Sequence, residues 1–241
     1  MWRIYALGPL LLTVFALVHF FKRGSGNYFW LFLIIFLGPV GSIVYIIVEV
    51  LPELRSGGVS SSWMAKRKRL RELEAAVLDN PSAGNYEELA DLYLQEQNYA
   101  RARDGFDRAI SPRTDHPDPY YGRALCSLAL GDTSKAIADL EQTIAMNRKH
   151  DYGRALGLLA FAYAQTGQPD TAEKLFREAL TTSTLSETQF RFAEFLAAQG
   201  KRDEAREWAQ RVVNKRATLS GPLRRREIPW INKAEVLLKQ L

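Results

Sequence analysis

The sequence predicts an all-α protein in two unlike parts: an N-terminal transmembrane helical hairpin, then an α-solenoid of paired helices closed by a C-terminal capping helix. Three observations predict it. Nearly all the long apolar runs lie before residue 52. The remainder is rich in Ala, Arg, Glu, Gln and Leu, the composition of water-exposed helices. Within that remainder one two-helix pattern recurs, its marker alanines Ala102, Ala136, Ala172 and Ala205 falling 34, 36 and 33 residues apart. The boundaries that follow are a hairpin over 1–55, a Gly/Ser linker and basic helix over 56–82, four repeats over 83–217 and a cap over 218–241.

Residues 4–21 and 28–48 contain no Asp, Glu, Lys or Arg, and each is long enough to cross a bilayer. No A-x-A cleavage site follows the first run, so it reads as an anchor and not as a removed leader. "KRGSGN", residues 22–27, is short enough to be the turn of the hairpin. Inside the second run, Gly38, Pro39, Gly41 and Ser42 predict a notch for membrane helix packing. Small residues admit a close neighbour, and that neighbour covers the carbonyl of Ile35 that Pro39 leaves without its donor.

Charge sets the expected orientation. Arg3, Arg55, Lys66, Arg67, Lys68, Arg69 and Arg71 fall on one side of such a hairpin, against Lys22 and Arg23 in its turn. Basic loops stay inside, so the solenoid is expected in the cytoplasm of a multi-pass inner-membrane protein. Lys66, Arg67, Lys68, Arg69 and Arg71 also suit contact with anionic lipid. That position accounts for the net charge of +5 and the pI near 9.3 better than a nucleic-acid partner does. One cysteine, Cys126, rules out an internal disulfide or a CxxC motif.

Trp30 to Glu49, "WLFLIIFLGPVGSIVYIIVE", with Pro39, Gly41 and Tyr45, resembles the second helix of the two-span segment ahead of bacterial cardiolipin synthases and related phospholipase D-type proteins. Those enzymes carry His-x-Lys-x4-Asp motifs, and no lysine in this chain has a histidine two residues before it. The resemblance therefore implies the anchor without the enzyme.

Behind the linker, "AKRKRLRELEAAVL" reads as a helix with Leu70, Leu73 and Val77 at helical spacing. The four repeats then resemble tetratricopeptide repeats, whose period is 34 residues. Ala90, Ala124, Ala160 and Ala193 are the small residues of the first helices. Tyr93, Tyr163 and Leu196 follow three residues later, where Ser127 departs from the pattern. Gly131, Gly167 and Gly200 mark the turns, with Gln97-Asn98 in the first repeat, where Asn98 can take the left-handed conformation. The second helices offer Phe106, Leu140 and Phe176, while the fourth has Trp208 one position early. A stack of this kind needs its apolar end closed, and "IPWINKAEVLLKQL" supplies Ile231, Ala234, Leu238 and Leu241 on one stripe.

Nothing in the chain carries enzyme chemistry: His19, His116 and His150 are scattered, and "DHPD", residues 115–118, reads as a turn. No cofactor, metal or small-molecule substrate is expected. The resemblance instead implies a concave groove lined by the first helices, at Glu87, Asp91, Tyr121, Leu125, Arg154, Phe161, Phe190 and Glu194. Glu87 and Asp91 oppose the charge of a clamp for a peptide carboxylate. The function expected is a membrane-anchored scaffold that recruits a protein or peptide partner and touches membrane lipids. The alternative is an accessory subunit of a membrane enzyme complex in phospholipid synthesis or translocation.

Overall fold

The computed structural model describes residues 7–23, 28–51 and 59–241, and these contain helices and turns with no strand. Arg3, Arg55, residues 24–27 of the turn expected at 22–27 and the linker at 55–58 lie outside the described residues, while Lys22 and Arg23 end α1. The chain divides into two compact units, residues 1–71 and 72–241.

The first unit contains α1 (Leu7–Arg23), α2 (Tyr28–Leu37) and α3 (Pro39–Tyr45), which runs on as a wider π-helical turn over Ile46–Val50. Among the described residues no helix is long and apolar enough to cross a membrane. The expectation that residues 28–48 cross as one span is corrected at Gly38. That residue takes φ 55 and ψ −123, a conformation open to glycine because it has no Cβ. Pro39 occupies the first turn of α3, where a missing N–H costs nothing. The chain folds back there, so the rings of Trp30 and Tyr45 stand 5.5 Å apart.

The small residues serve this fold-back. A Cβ on Gly41 would collide with the Leu33 carbonyl of α2. Ser42 donates from both its backbone N–H (3.0 Å) and its hydroxyl (2.9 Å) to the carbonyl of Gly38. α1 closes the unit by packing Ala16 and Phe20 with Ile34, Tyr45 and Val50. Tyr45 is 1 % exposed, and its hydroxyl lies 3.1 Å from Nδ1 of His19. A buried hydroxyl without such a partner would be costly.

α4 (Val59–Asp79) starts six residues before the predicted helix, so residues 59–62, expected as linker, are helical. Adding turns to a nucleated helix costs little. Lys66, Arg67, Lys68, Arg69 and Arg71 are exposed along it.

In the second unit Leu73 is buried, and Glu74 accepts from the Tyr93 hydroxyl at 2.6 Å. Four helix pairs follow: α5 (Ala83–Gln95) with α6 (Tyr99–Ala109), α7 (Asp118–Ala129) with α8 (Thr133–Met146), α9 (Arg154–Gln165) with α10 (Pro169–Thr182), and α11 (Ser186–Ala198) with α12 (Arg202–Asn214). All eight marker alanines, four on first helices and four on second, are fully buried. At Ala90 the approach is close enough that a Cβ on Gly105 of α6 would collide with it.

Phe106, Leu140 and Phe176 are fully buried as expected; the equivalent position of the fourth pair is Ala209, fully buried together with Val212 one turn on. Trp208 instead sets its ring edge-on to Phe192 at 5.5 Å. Gly131, Gly167 and Gly200 hold φ of 80, 76 and 77 in their turns. In the first repeat it is Gln97, not Asn98, that goes left-handed, with φ 59. Asn98 is used otherwise: its side chain accepts from Arg101 N–H at 3.4 Å and caps α6, as Asp132 caps α8. Ser127 leaves a buried hydroxyl without a partner. A hollow of ≈ 340 Å³ lies beside it, between Arg103, Arg123 and Asp139.

The cap α13 (Gly221–Leu238) begins seven residues before the stretch that predicted it. Its Ile231 and Ala234 pack with Phe190, Ala193, Ala209 and Val212 of the last pair.

Candidate peptide-binding groove

The first helices α5, α7, α9 and α11 line a hollow of ≈ 500 Å³, completed by Gln97 and Tyr99. Leu94, Leu125, Leu158 and Phe161 are its apolar wall, and Arg154, Glu187 and Arg191 its charged one. A second hollow of ≈ 450 Å³ joins Phe161, Arg191 and Glu194 to Trp230 and Lys233 of α13. Of the eight predicted groove residues, Leu125, Arg154 and Phe161 meet in the first hollow, and Phe161, Phe190 and Glu194 in the second.

Two predicted aromatic anchors prove to be core. Tyr121 is 9 % exposed and packs with Ala155 and Leu158 of the next repeat. Phe190 is 5 % exposed because α13 covers the last repeat and brings Trp230 to 5.9 Å from its ring. Phe161 remains half-buried, with the Arg191 guanidinium 3.9 Å from its ring centre.

A polar chain leads from Tyr121 and Asp151 to the charged wall of the first hollow. The Tyr121 hydroxyl donates to Asp151 at 2.8 Å, and Arg154 donates back to that hydroxyl at 3.0 Å. Arg154 Nε donates to one Glu187 oxygen at 2.7 Å, and Arg191 Nη2 donates to the other at 3.0 Å. Glu187 is 8 % exposed, so these two guanidiniums satisfy a carboxylate that burial would otherwise penalise. Asp151 reaches its place through a left-handed turn, with φ 46 at Asp151, 55 at Tyr152 and 78 at Gly153. Burial pushes the Tyr121 phenol well above its usual range, so it stays a neutral donor.

Near the α5–α7 end, Glu87 accepts from His116 at 3.1 Å. That bond raises the His116 pKa and favours imidazolium. Although Asp91 reaches solvent, its carboxyl is pushed up to about 6, by lost hydration first and then by Glu87, Asp118 and Glu88. Glu87, His116 and Asp118 bring ligand-type atoms within 4.8 Å of one another. His116 there is engaged as the partner of Glu87.

Sequence reasoning missed Asp151, Glu187, Arg191, Trp230 and Lys233. The spacing of Glu187 and Arg191, four apart on one helix face, was the available signal.

Two stretches, residues 127–183 and 191–222, each match a tetratricopeptide repeat model. No curated protein matches the chain. Among solved structures it is similar to MamA, at 17 % identity, covering 66 % of this chain and 92 % of that one with a TM-score of 0.58. It is similar to YrrB, described as a TPR protein with an unusual peptide-binding site, at 19 % identity, 64 % and 79 % coverage and a TM-score of 0.54. It is also similar to TTC0263, a thermophilic TPR protein of Thermus thermophilus, at 20 % identity, 75 % and 98 % coverage and a TM-score of 0.53. The second unit is thus a tetratricopeptide-type solenoid. The resemblance of the N-terminal segment to the cardiolipin synthase anchor finds no counterpart among these matches.

Proposed function

We infer that this chain is a scaffold: the solenoid holds a segment of a partner protein in its concave face, while the apolar N-terminal unit keeps it at the cytoplasmic side of a bacterial inner membrane. The observation that carries the first half is the hollow lined by all four first helices, with Leu125, Leu158 and Phe161 beside the Arg154–Glu187–Arg191 chain. An apolar wall with a few fixed charges is what a specific peptide site requires. The peptide-binding site described for YrrB supports the same reading. Glu87 and Asp91, which line neither hollow but lie on α5, the first of the four lining helices, favour a client that carries basic as well as apolar side chains. The membrane half is supported by the uncharged stretches 4–21 and 28–48 and by Lys66 to Arg71 after them.

The test is co-purification of partners with the full chain in mild detergent, comparing wild type with Phe161→Ala and Arg191→Gln. Each substitution is expected to lower recovery of the same partner, Phe161→Ala by a factor matching about 2 kcal/mol, as for a central aromatic contact. Raising salt is expected to lower it further. Equal recovery from both folded variants would refute the groove as the binding surface.

A further inference from the structure

Resting on the reading that the N-terminal unit lies in a membrane, we propose that residues 28–51 form a re-entrant insertion. α2 enters one leaflet, the chain turns at Gly38 within the hydrocarbon, and α3 returns to the face that α2 entered. The surface it presents is for the acyl chains of a single leaflet.

Length is the first argument. α2 has 10 residues, which at 1.5 Å each span about 15 Å, half of a hydrocarbon core of about 30 Å. Trp30 and Tyr45 are fifteen positions apart, which in one continuous helix would separate them by about 22 Å, yet their rings lie 5.5 Å apart. The two ends of the segment are therefore at the same depth.

Two features of the turn suit a place without water. Lipid offers no hydrogen bonds, so a break in helical backbone must satisfy itself. Here Pro39 has no N–H to leave unpaired, and the Gly38 carbonyl accepts twice from Ser42. The outer faces of the hairpin are apolar and uncovered: Phe32, Ile35, Phe36, Val40, Ile43 and Ile47 are all exposed, Phe36 by 74 %. A patch of that kind marks a surface meant for an apolar partner. No charged residue falls between Arg23 and Glu49.

Charge gives the independent argument. A straight crossing would leave Lys22 and Arg23, a minority of the basic residues, on the face opposite Lys66 to Arg71. The re-entrant path puts all of them on one face, beside anionic headgroups.

The experiment uses the full chain with Cys126→Ala and one new cysteine, Ser25→Cys or Met64→Cys, in membrane vesicles of known sidedness. Alkaline extraction comes first, then a membrane-impermeant maleimide. The expected result is a chain that stays with the membrane, both cysteines reacting from the cytoplasmic face at least about tenfold more than from the other. A bimane on Val40→Cys is expected to be quenched more by nitroxides at the bilayer centre than by nitroxides on headgroups. Reaction of residues 25 and 64 from opposite faces overturns the re-entrant path and leaves the membrane reading standing. Stronger headgroup quenching overturns it in favour of a segment lying flat. Release of the chain at high pH overturns both readings together and turns the exposed apolar faces into a contact with protein.

Discussion

At Gln97 a residue with a Cβ holds φ of 59 in the turn where the other three repeats place glycine. A side chain in the left-handed region costs about 1 kcal/mol or more, so Gln97→Gly is expected to stabilise the solenoid by about 1 kcal/mol. For a unit of this size that raises the thermal midpoint by about 2–4 °C, read by circular dichroism. Asp91 carries the complementary lesson in charge. Its pKa is raised to about 6 in the folded chain, so it disfavours folding once ionised. The stability that comes from protonation is full below its unfolded pKa and is lost as pH rises through about 6. Asp91→Asn is therefore expected to raise the melting temperature at pH 7.5 and to change it little at pH 4. The effect is a few tenths of a kcal/mol, because solvent screens an exposed carboxylate. A larger gain at pH 4 than at pH 7.5 would reverse the assignment.

Helix pairs are the scale at which the sequence was most legible, and least. The eight buried alanines were readable because close helix crossings record themselves as small residues at fixed spacing. Gly122 adds a crossing of the same kind: a Cβ there would run into the Phe106 ring of the preceding repeat. Gly122→Val is expected to cost about 1–3 kcal/mol by overpacking, measured by urea unfolding. An unchanged midpoint would mean that α6 and α7 shift apart freely. The fold-back at Gly38 was not readable from hydropathy, since an apolar run has one pattern whether straight or folded. Only the Gly-Pro pair bore on it, and small residues beside a proline read equally as a notch for a neighbouring helix. Tyr121 and Phe190 are more buried than expected for a related reason. Their helix positions face inward, but burial depends on what docks there: the next repeat at Tyr121, and α13 at Phe190.

For the molecule as a whole, the account joins an apolar unit of three short helices to a solenoid with a lined concave face. Positive-inside charge makes a topological claim. Alkaline phosphatase fused after Leu241 is expected to be inactive and a fluorescent protein there to fluoresce, and strong phosphatase activity would invert the orientation. The central claim is that a partner occupies the groove, and site-specific photo-cross-linking in cells tests it most directly. A photoreactive amino acid is placed in turn at Leu125 and Phe161, which line the hollow, and at Arg108 and Lys174, which are exposed on second helices. The account requires one common adduct from the two groove positions, absent or several-fold weaker from the two outer ones. The same adduct at equal yield from Arg108 and Lys174, with none from Leu125 and Phe161, would contradict it.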